Sequence, residues 1–223
     1  MNFRRPSLAA AACVASLLVL IAGCDKDKKG VEPPAELVDL KPTLAVQKLW
    51  DTGVGGGGEK LRLALGLALD RGVLYTAARD GEVIALDPAS GRAKWSQDTK
   101  ADLAAGPGVG ASLVAVGTSD GKVIALDVAS GKVLWKASVS SEVLSAPLVT
   151  GDRVIVRSVD GRVHALDALT GKSQWTGEEP VPKLSLRGTA PPVLAKDNVI
   201  AGFDSGKVIA FAVATGDIVW QAQ

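Results

Sequence analysis

Apolar and polar residues alternate with a period of two in short runs that recur along most of the chain. Val83 and Ala85 occupy alternate positions of one such run, which predicts a β-strand. The run returns with the pairs Val123/Ala125 and Val163/Ala165. An Asp-Gly dipeptide precedes each run, at 80–81, 120–121 and 160–161. Because glycine adopts positive φ readily, these dipeptides indicate hairpin turns, and the pattern predicts an all-β fold.

A longer unit contains each run. A glycine-to-tryptophan segment occurs four times, at 81–95, 121–135, 161–175 and 206–220. The five tryptophans, spaced by 45, 40, 40 and 45 residues, are Trp50, Trp95, Trp135, Trp175 and Trp220. Such a period, with glycine turns between short strands, is typical of β-propeller blades of four strands each. The predicted elements are a lone outer strand at 45–52 and four blades at about 60–98, 108–138, 142–178 and 184–222.

The repeated residues have structural explanations. The tryptophan on each fourth strand offers a large face that we expect to lie against the adjacent blade. An aspartate ends the third strand of the first three copies, at Asp87, Asp127 and Asp167, and Ala212 takes its place in the fourth. Four residues before a turn glycine, such a carboxylate can accept hydrogen bonds from the backbone amides of the turn.

The N-terminus indicates export. Arg4 and Arg5 precede an uncharged apolar stretch, 8–22, that is short for a membrane-spanning helix. The stretch runs into Ile-Ala-Gly-Cys, which resembles a lipobox, so residues 1–23 are predicted to be a signal peptide and Cys24 the lipidated residue. The alternative is an uncleaved anchor ending in a chance cysteine. Residues 24–44 are charged and contain proline, as expected of a tether.

Cysteine content and charge bear on disulfide bonds and on nucleic acid as a partner. Cys13 lies in the predicted signal and Cys24 is predicted to carry lipid, so the domain has no cysteine left for a disulfide. Without Arg4 and Arg5 the basic residues fall from 25 to 23, against 24 acidic ones. This balance does not favour nucleic acid as a partner.

Two local features could suggest chemistry. His164 is the only histidine, at a strand position where the other copies have isoleucine, and one histidine does not make a metal site. The glycines at 55–58 lack the Gly-Lys-Ser/Thr ending of a phosphate-binding loop. We therefore expect a strand residue and a loop between blades, with no metal site and no catalytic residue.

The repeat Ala85-Leu-Asp87, with Gly91 and Trp95 following, resembles those of the quinoprotein (PQQ-like) propellers over residues 46–221. Part of that superfamily consists of dehydrogenases that hold pyrroloquinoline quinone and calcium. The resemblance therefore keeps a quinoprotein enzyme open as an alternative. The alcohol dehydrogenases among them carry a vicinal disulfide that this chain lacks, and the aspartates here occupy turn positions. We expect no cofactor and no catalysis.

Two stretches, 34–50 and Leu184-Ser-Leu-Arg-Gly188, are similar to the BamB family of propeller lipoproteins, which belong to the outer-membrane β-barrel assembly (BAM) machine. In that family the second stretch binds the periplasmic POTRA domains of the central subunit BamA. The resemblance implies Leu184, Leu186 and Arg187 as partner-binding residues, and it implies a scaffold that aids insertion of β-barrel proteins. Nascent outer-membrane proteins are a further possible partner, through pairing with strand edges. Without the resemblance, the two leucines would be ordinary strand residues and Arg187 a solvated charge.

The length departs from the family, whose members have eight blades and nearly 400 residues. The lone strand at Trp50 and the absence of further repeats after Gln223 lead us to expect four blades of an eight-bladed ring, from a truncated sequence, with a natural four-bladed form as the alternative. The resemblance implies lipid anchoring at the outer membrane, facing the periplasm. Asp25, after the predicted lipid-bearing cysteine, favours inner-membrane retention in some bacteria. A general envelope propeller with another partner is the alternative function.

Overall fold

The computed structural model describes residues 34–39, 41, 43–57, 63, 65–185 and 190–223. The chain divides into two compact units, Met1–Val46 and Gln47–Gln223. All the strands among the described residues belong to the second unit.

The described strands form four antiparallel sheets, each made from four strands that are consecutive in the chain. The first blade contains β1 (Ala68–Asp70), β2 (Val73–Ala77), β3 (Glu82–Leu86) and β4 (Ala93–Asp98). The second contains β5 (Gly108–Gly110), β6 (Leu113–Gly117), β7 (Lys122–Asp127) and β8 (Val133–Ser138). The third contains β9 (Leu148–Val149), β10 (Arg153–Arg157), β11 (Arg162–Asp167) and β12 (Ser173–Glu178). The fourth contains β13 (Val193–Ala195), β14 (Asn198–Gly202), β15 (Val208–Ala212) and β16 (Ile218–Ala222).

The prediction of an all-β protein with four four-stranded blades is confirmed. The blades also share a detail of register. In the first blade Ala85 pairs with Trp95 and Leu86 pairs with Ala93, so Lys94 is an extra residue in the fourth strand. The equivalent shift occurs in each of the other three blades. A bulge of this kind turns the strand locally and sets the direction of the tryptophan beside it.

One predicted element is absent. Residues 45–52 are described, and none of them lies in a strand, so the lone outer strand predicted there is not formed in the structure. A strand needs a neighbour to complete its backbone hydrogen bonds, and no described strand pairs with this segment. Trp50 nevertheless contacts the first blade, as described below.

The core lies at the three seams, where the face of one blade packs on the next. At the first seam Val83 and Tyr75 of the first blade pack with Val114 and Ile124 of the second. The second seam is built in the same way from aliphatic side chains with Trp135, and the third adds Phe203 and Phe211 to its aliphatic side chains and Trp175. These side chains come from the alternating runs, so the period-two pattern places one apolar set on each blade face.

Candidate interaction surface

At each seam a tryptophan of one blade lies on the next blade, over the turn between its third and fourth strands. Trp95 Nε1 donates a hydrogen bond to the carbonyl of Val128 at 3.0 Å, and its ring lies over Gly131. A Cβ added to Gly131 would lie 2.6 Å from the Trp95 ring, so only glycine fits there. Trp135 over Gly171 and Trp175 over Gly216 repeat the arrangement, with donor–acceptor distances of 2.8 Å in both.

The ends of the series differ. Trp50 lies over Gly91 and donates to the carbonyl of Pro88 at 2.9 Å, although it precedes the first blade. The segment after Trp50 is held by carboxylates, since Gly55 N donates to Glu82 at 3.0 Å and Gly56 N to Asp80 at 2.7 Å. Trp220 is 43% exposed, and no described turn covers its ring.

The repeated aspartates lie in the turns that receive the tryptophans. Asp87 Oδ1 accepts hydrogen bonds from Ser90 N at 2.9 Å and Ser90 Oγ at 2.8 Å. The hydroxyl, with the amide second, lowers the pKa of Asp87. Asp127 with Ser130, and Asp167 with Thr170, repeat the arrangement. In the fourth blade Gly216 N still donates to Ala212 O at 2.8 Å, so the backbone closes this turn without the carboxylate.

His164 is buried in a cluster of hydroxyl groups. Its Nε2 lies 3.0 Å from Ser140 Oγ and 3.2 Å from Ser158 Oγ, and its Nδ1 lies 3.3 Å from Thr176 Oγ1. Burial lowers the pKa of His164, while Asp160 opposes that shift. Among the described residues, no group of three or more His, Cys, Asp and Glu side chains is placed to hold a metal ion. The hydroxyl contacts account for a buried histidine at a position where isoleucine would need no partner.

The three connections between blades are unequal. Residues 99–107 and 139–147 join the first three blades, and each of these connections has nine residues. In each of them the side chain of Leu103 or Val143 is fully buried, and the backbone of that residue forms a β-bridge with the next blade. The connection from β12 to β13, residues 179–192, has fourteen residues and is called the third connection below.

The residues implied as partner-binding belong to the third connection. Leu184 is described and is 93% exposed. Leu186 and Arg187 lie outside the described residues, as does Cys24, so their predicted roles stay predictions. The described residues include no helix with the length and apolar character needed to cross a bilayer.

Two ion pairs beside the third connection were not predicted. The buried Arg157 side chain places Nη2 3.4 Å from Asp204 Oδ2 and its guanidinium carbon 5.0 Å from the centre of the Phe203 ring. Lys207 Nζ lies 3.0 Å from the carboxylate of Glu179, the first residue of the connection. Burial lowers the pKa of Arg157, and Asp204 opposes this shift. The sequence did contain a signal for Arg157, because this residue ends a second strand where the other blades have alanine or glycine.

Four four-stranded blades joined by tryptophan and glycine define a β-propeller of the quinoprotein-repeat class. The model of the family described as outer membrane protein assembly factor BamB matches residues 46–105 and 79–223. The chain is therefore a member of the BamB family.

Individual BamB proteins also match the chain. The chain is 51% identical over 210 residues to outer membrane protein assembly factor BamB of Pseudomonas aeruginosa, covering 94% of this chain and 55% of that protein. It is 53% identical over 222 residues to the BamB protein of Alkalilimnicola ehrlichii, covering 100% of this chain and 57% of that protein. The crystal structure of BamB from Moraxella catarrhalis matches with a TM-score of 0.67 and 30% identity, over 73% of this chain and 50% of that one. The chain thus spans about half the length of the curated relatives that it matches.

Proposed function

We propose that this chain is a non-catalytic scaffold of outer-membrane protein assembly, and that its third connection binds the POTRA domains of BamA. The proposal extends the printed name of the relatives, outer membrane protein assembly factor, to this chain. The observation that carries it is the extra length of the third connection, with Leu184 almost fully exposed.

The chemistry of the third connection suits a protein partner. Nine residues are enough to join two blades, so the five additional residues are not required for the fold. An exposed leucine gains free energy when a partner removes it from water, and an arginine nearby in sequence adds a directional donor. Leu184, Leu186 and Arg187 are therefore the proposed contact residues.

The location is part of the proposal. A lipid on Cys24 would hold the propeller at the outer membrane, on the periplasmic side, where the BAM machine works. Fractionation of envelope membranes with antibody detection tests this location. Recovery in the inner membrane would instead favour retention through Asp25, and a Cys24→Ser variant that stays membrane-bound would contradict lipid anchoring.

Binding is tested with the whole chain and a purified POTRA fragment of BamA from the same organism. We expect the variant Leu184→Ser/Arg187→Ser to bind the immobilised fragment at least tenfold more weakly, on the order of the loss of one hot-spot contact. The matched control is Leu169→Ser, because Leu169 is also a highly exposed leucine, at 88%, but lies on the turn of the third blade.

The possible outcomes separate the functions. Equal binding by the wild-type chain and by the double variant would contradict the proposed contact residues. No binding by the wild-type chain would favour the alternative, a general envelope propeller with a different partner. A bound quinone seen by absorbance after reconstitution with pyrroloquinoline quinone and calcium would contradict the non-catalytic proposal.

A further inference from the structure

The seam between the third and fourth blades has two ion pairs between repeat positions that do not pair by charge at the other two seams. Two repeat positions face each other across each seam. One is the last residue of the second strand of a blade. The other is the second residue after the second strand of the next blade. They are Arg157 and Asp204 at the third seam. The equivalent residues are Ala77 and Ser119 at the first seam, and Gly117 and Val159 at the second. These pairs cannot form an ion pair.

The Arg157–Asp204 pair lies beside the end of the third connection. The Arg157 side chain is 3% exposed and that of Asp204 is 24% exposed. Both line a cleft of about 300 Å³ together with Phe203 and with Ala190, three residues before β13 begins. The guanidinium is thus held between a carboxylate and an aromatic face, a combination that suits arginine and not lysine.

The Glu179–Lys207 pair holds the start of the same connection. Glu179 N donates to the carbonyl of Gly161 at 3.0 Å, which fixes its backbone to the third blade. Its carboxylate, 9% exposed, lies 3.0 Å and 3.1 Å through its two oxygens from Lys207 Nζ of the fourth blade. The first residues of the other two connections are Thr99 and Val139, which carry no charge. Each end of the third connection is therefore next to an ion pair that spans the third seam.

We propose that these two ion pairs position the third connection for its protein partner, with Arg157, Asp204, Glu179 and Lys207 as positioning residues that do not themselves touch the partner. The inference rests on the proposed function, because it assigns a role to residues at the two ends of the same connection. It gives a reason for these two ion pairs at the seam whose connection is five residues longer than the other two.

The choice of charge over apolar packing supports a positioning role. Replacing a buried ion pair by apolar side chains of similar volume is often neutral for stability, because desolvation offsets the Coulombic attraction. Charged and hydrogen-bonded groups, in contrast, favour one geometry over others. A loop of fourteen residues loses more conformational freedom on binding than a loop of nine. Ion pairs that hold its two ends reduce this entropic cost, because fewer conformations remain to be lost.

The test is the double variant Arg157→Met/Asp204→Leu, which removes one pair without leaving a single buried charge. We expect its melting temperature to stay within about 4 °C of the wild-type value. We expect the amide of Glu179, which donates to the carbonyl of Gly161, to exchange hydrogen at least tenfold faster, and the affinity for the POTRA fragment to fall at least tenfold. A structural role alone would lower the melting temperature and would not change exchange at this amide selectively.

The matched control is Arg79→Met/Asp102→Leu. Arg79 Nη2 lies 3.3 Å from Asp102 Oδ2, beside the nine-residue connection 99–107, so this variant removes an ion pair from a regular connection. We expect unchanged exchange at the amide of Glu179 and unchanged binding. If Arg157→Met/Asp204→Leu does not fold, Glu179→Gln/Lys207→Gln replaces it, since this double variant removes the second ion pair and leaves neither charge behind.

The outcomes distinguish this inference from the proposed function. If the wild-type chain binds the fragment and the third-seam variant binds equally well, with unchanged exchange, the inference is overturned and the proposed function stands. If the wild-type chain does not bind, the proposed function fails, and with it the claim that these residues act for that partner. Faster exchange with weaker binding supports the inference.

Discussion

The regular connections and the third connection perform the same task in the same fold, but they do so with different chemistry. In 99–107 and 139–147 the apolar side chain of Leu103 or Val143 is completely buried, and the backbone of the same residue forms a β-bridge with the next blade. In the third connection Leu184 is exposed to solvent, and ion pairs lie at the two ends of the connection. A leucine is a core residue in one connection and a surface residue in another.

The difference separates what the fold needs from what it does not. A repeat protein carries its own internal control, because any residue can be compared with its counterparts in the other blades. Features present at every seam, such as the tryptophan over a glycine, are explained by packing. Features present at one seam are the candidates for function, and the two ion pairs of the third seam are among them.

The largest expected effect is on stability, and it compares a leucine of a regular connection with a leucine of the third connection. Leu103→Ala removes a fully buried side chain, so we expect the free energy of unfolding to fall by about 2 to 5 kcal/mol. Leu184→Ala removes an exposed one, so we expect a change of no more than about 0.5 kcal/mol. Urea unfolding followed by tryptophan fluorescence measures both. Similar losses for the two variants would mean that Leu184 belongs to the core.

The next effect concerns the packing shared by all seams. Gly131→Ala places a methyl group 2.6 Å from the Trp95 ring at φ +73°, and we expect a loss of about 3 kcal/mol from overpacking combined with backbone strain. Gly72→Ala is the matched control, because Gly72 has φ +72° with no atom within 4 Å of the added Cβ. The control should lose only about 1 kcal/mol, from strain. Equal losses in urea unfolding would show that the tryptophan does not determine the choice of glycine.

The smallest effect concerns the regular connection 139–147, which His164 contacts through Ser140. The folded-state pKa of His164 is below its usual value of 6.5, so unfolding takes up a proton as the pH falls. The contribution of His164 to stability is complete above pH 6.5 and decreases below it. We expect His164→Ile to lose less stability than the wild-type chain between pH 7.5 and pH 5 in urea unfolding. An identical pH dependence in the two proteins would contradict the buried, neutral histidine.

The blades could be predicted from the sequence because their signals are local and repeated. The alternating runs, the Asp-Gly turns and the tryptophan spacing each specify a strand or a turn without reference to distant residues. The strand predicted at 45–52 is not formed. A strand requires a neighbouring strand to pair with, and a local sequence pattern at Trp50 does not show whether such a neighbour exists. The tryptophan nevertheless keeps its contact with Gly91, since that contact depends on the turn and not on strand pairing.

The candidate surface could be predicted only in part from the sequence. A short resemblance implied Leu184, Leu186 and Arg187, but not the ion pairs beside the third connection. Arg157 and Asp204 are 47 residues apart, and their contact depends on how two blades pack. A comparison of the blades position by position would have singled out Arg157, because a large charged side chain replaces alanine or glycine there. Its partner could be found only in three dimensions.

The most direct test of the central claim replaces the third connection by a regular one. Residues 180–192 are exchanged for the sequence of residues 140–147, which keeps Glu179 and leaves a connection of nine residues. Circular dichroism and the melting temperature report whether the blades remain folded, and the affinity for the POTRA fragment is measured beside the wild-type chain. We predict a folded propeller that no longer binds the fragment. A folded variant with wild-type affinity would contradict the claim that the third connection is the interaction surface.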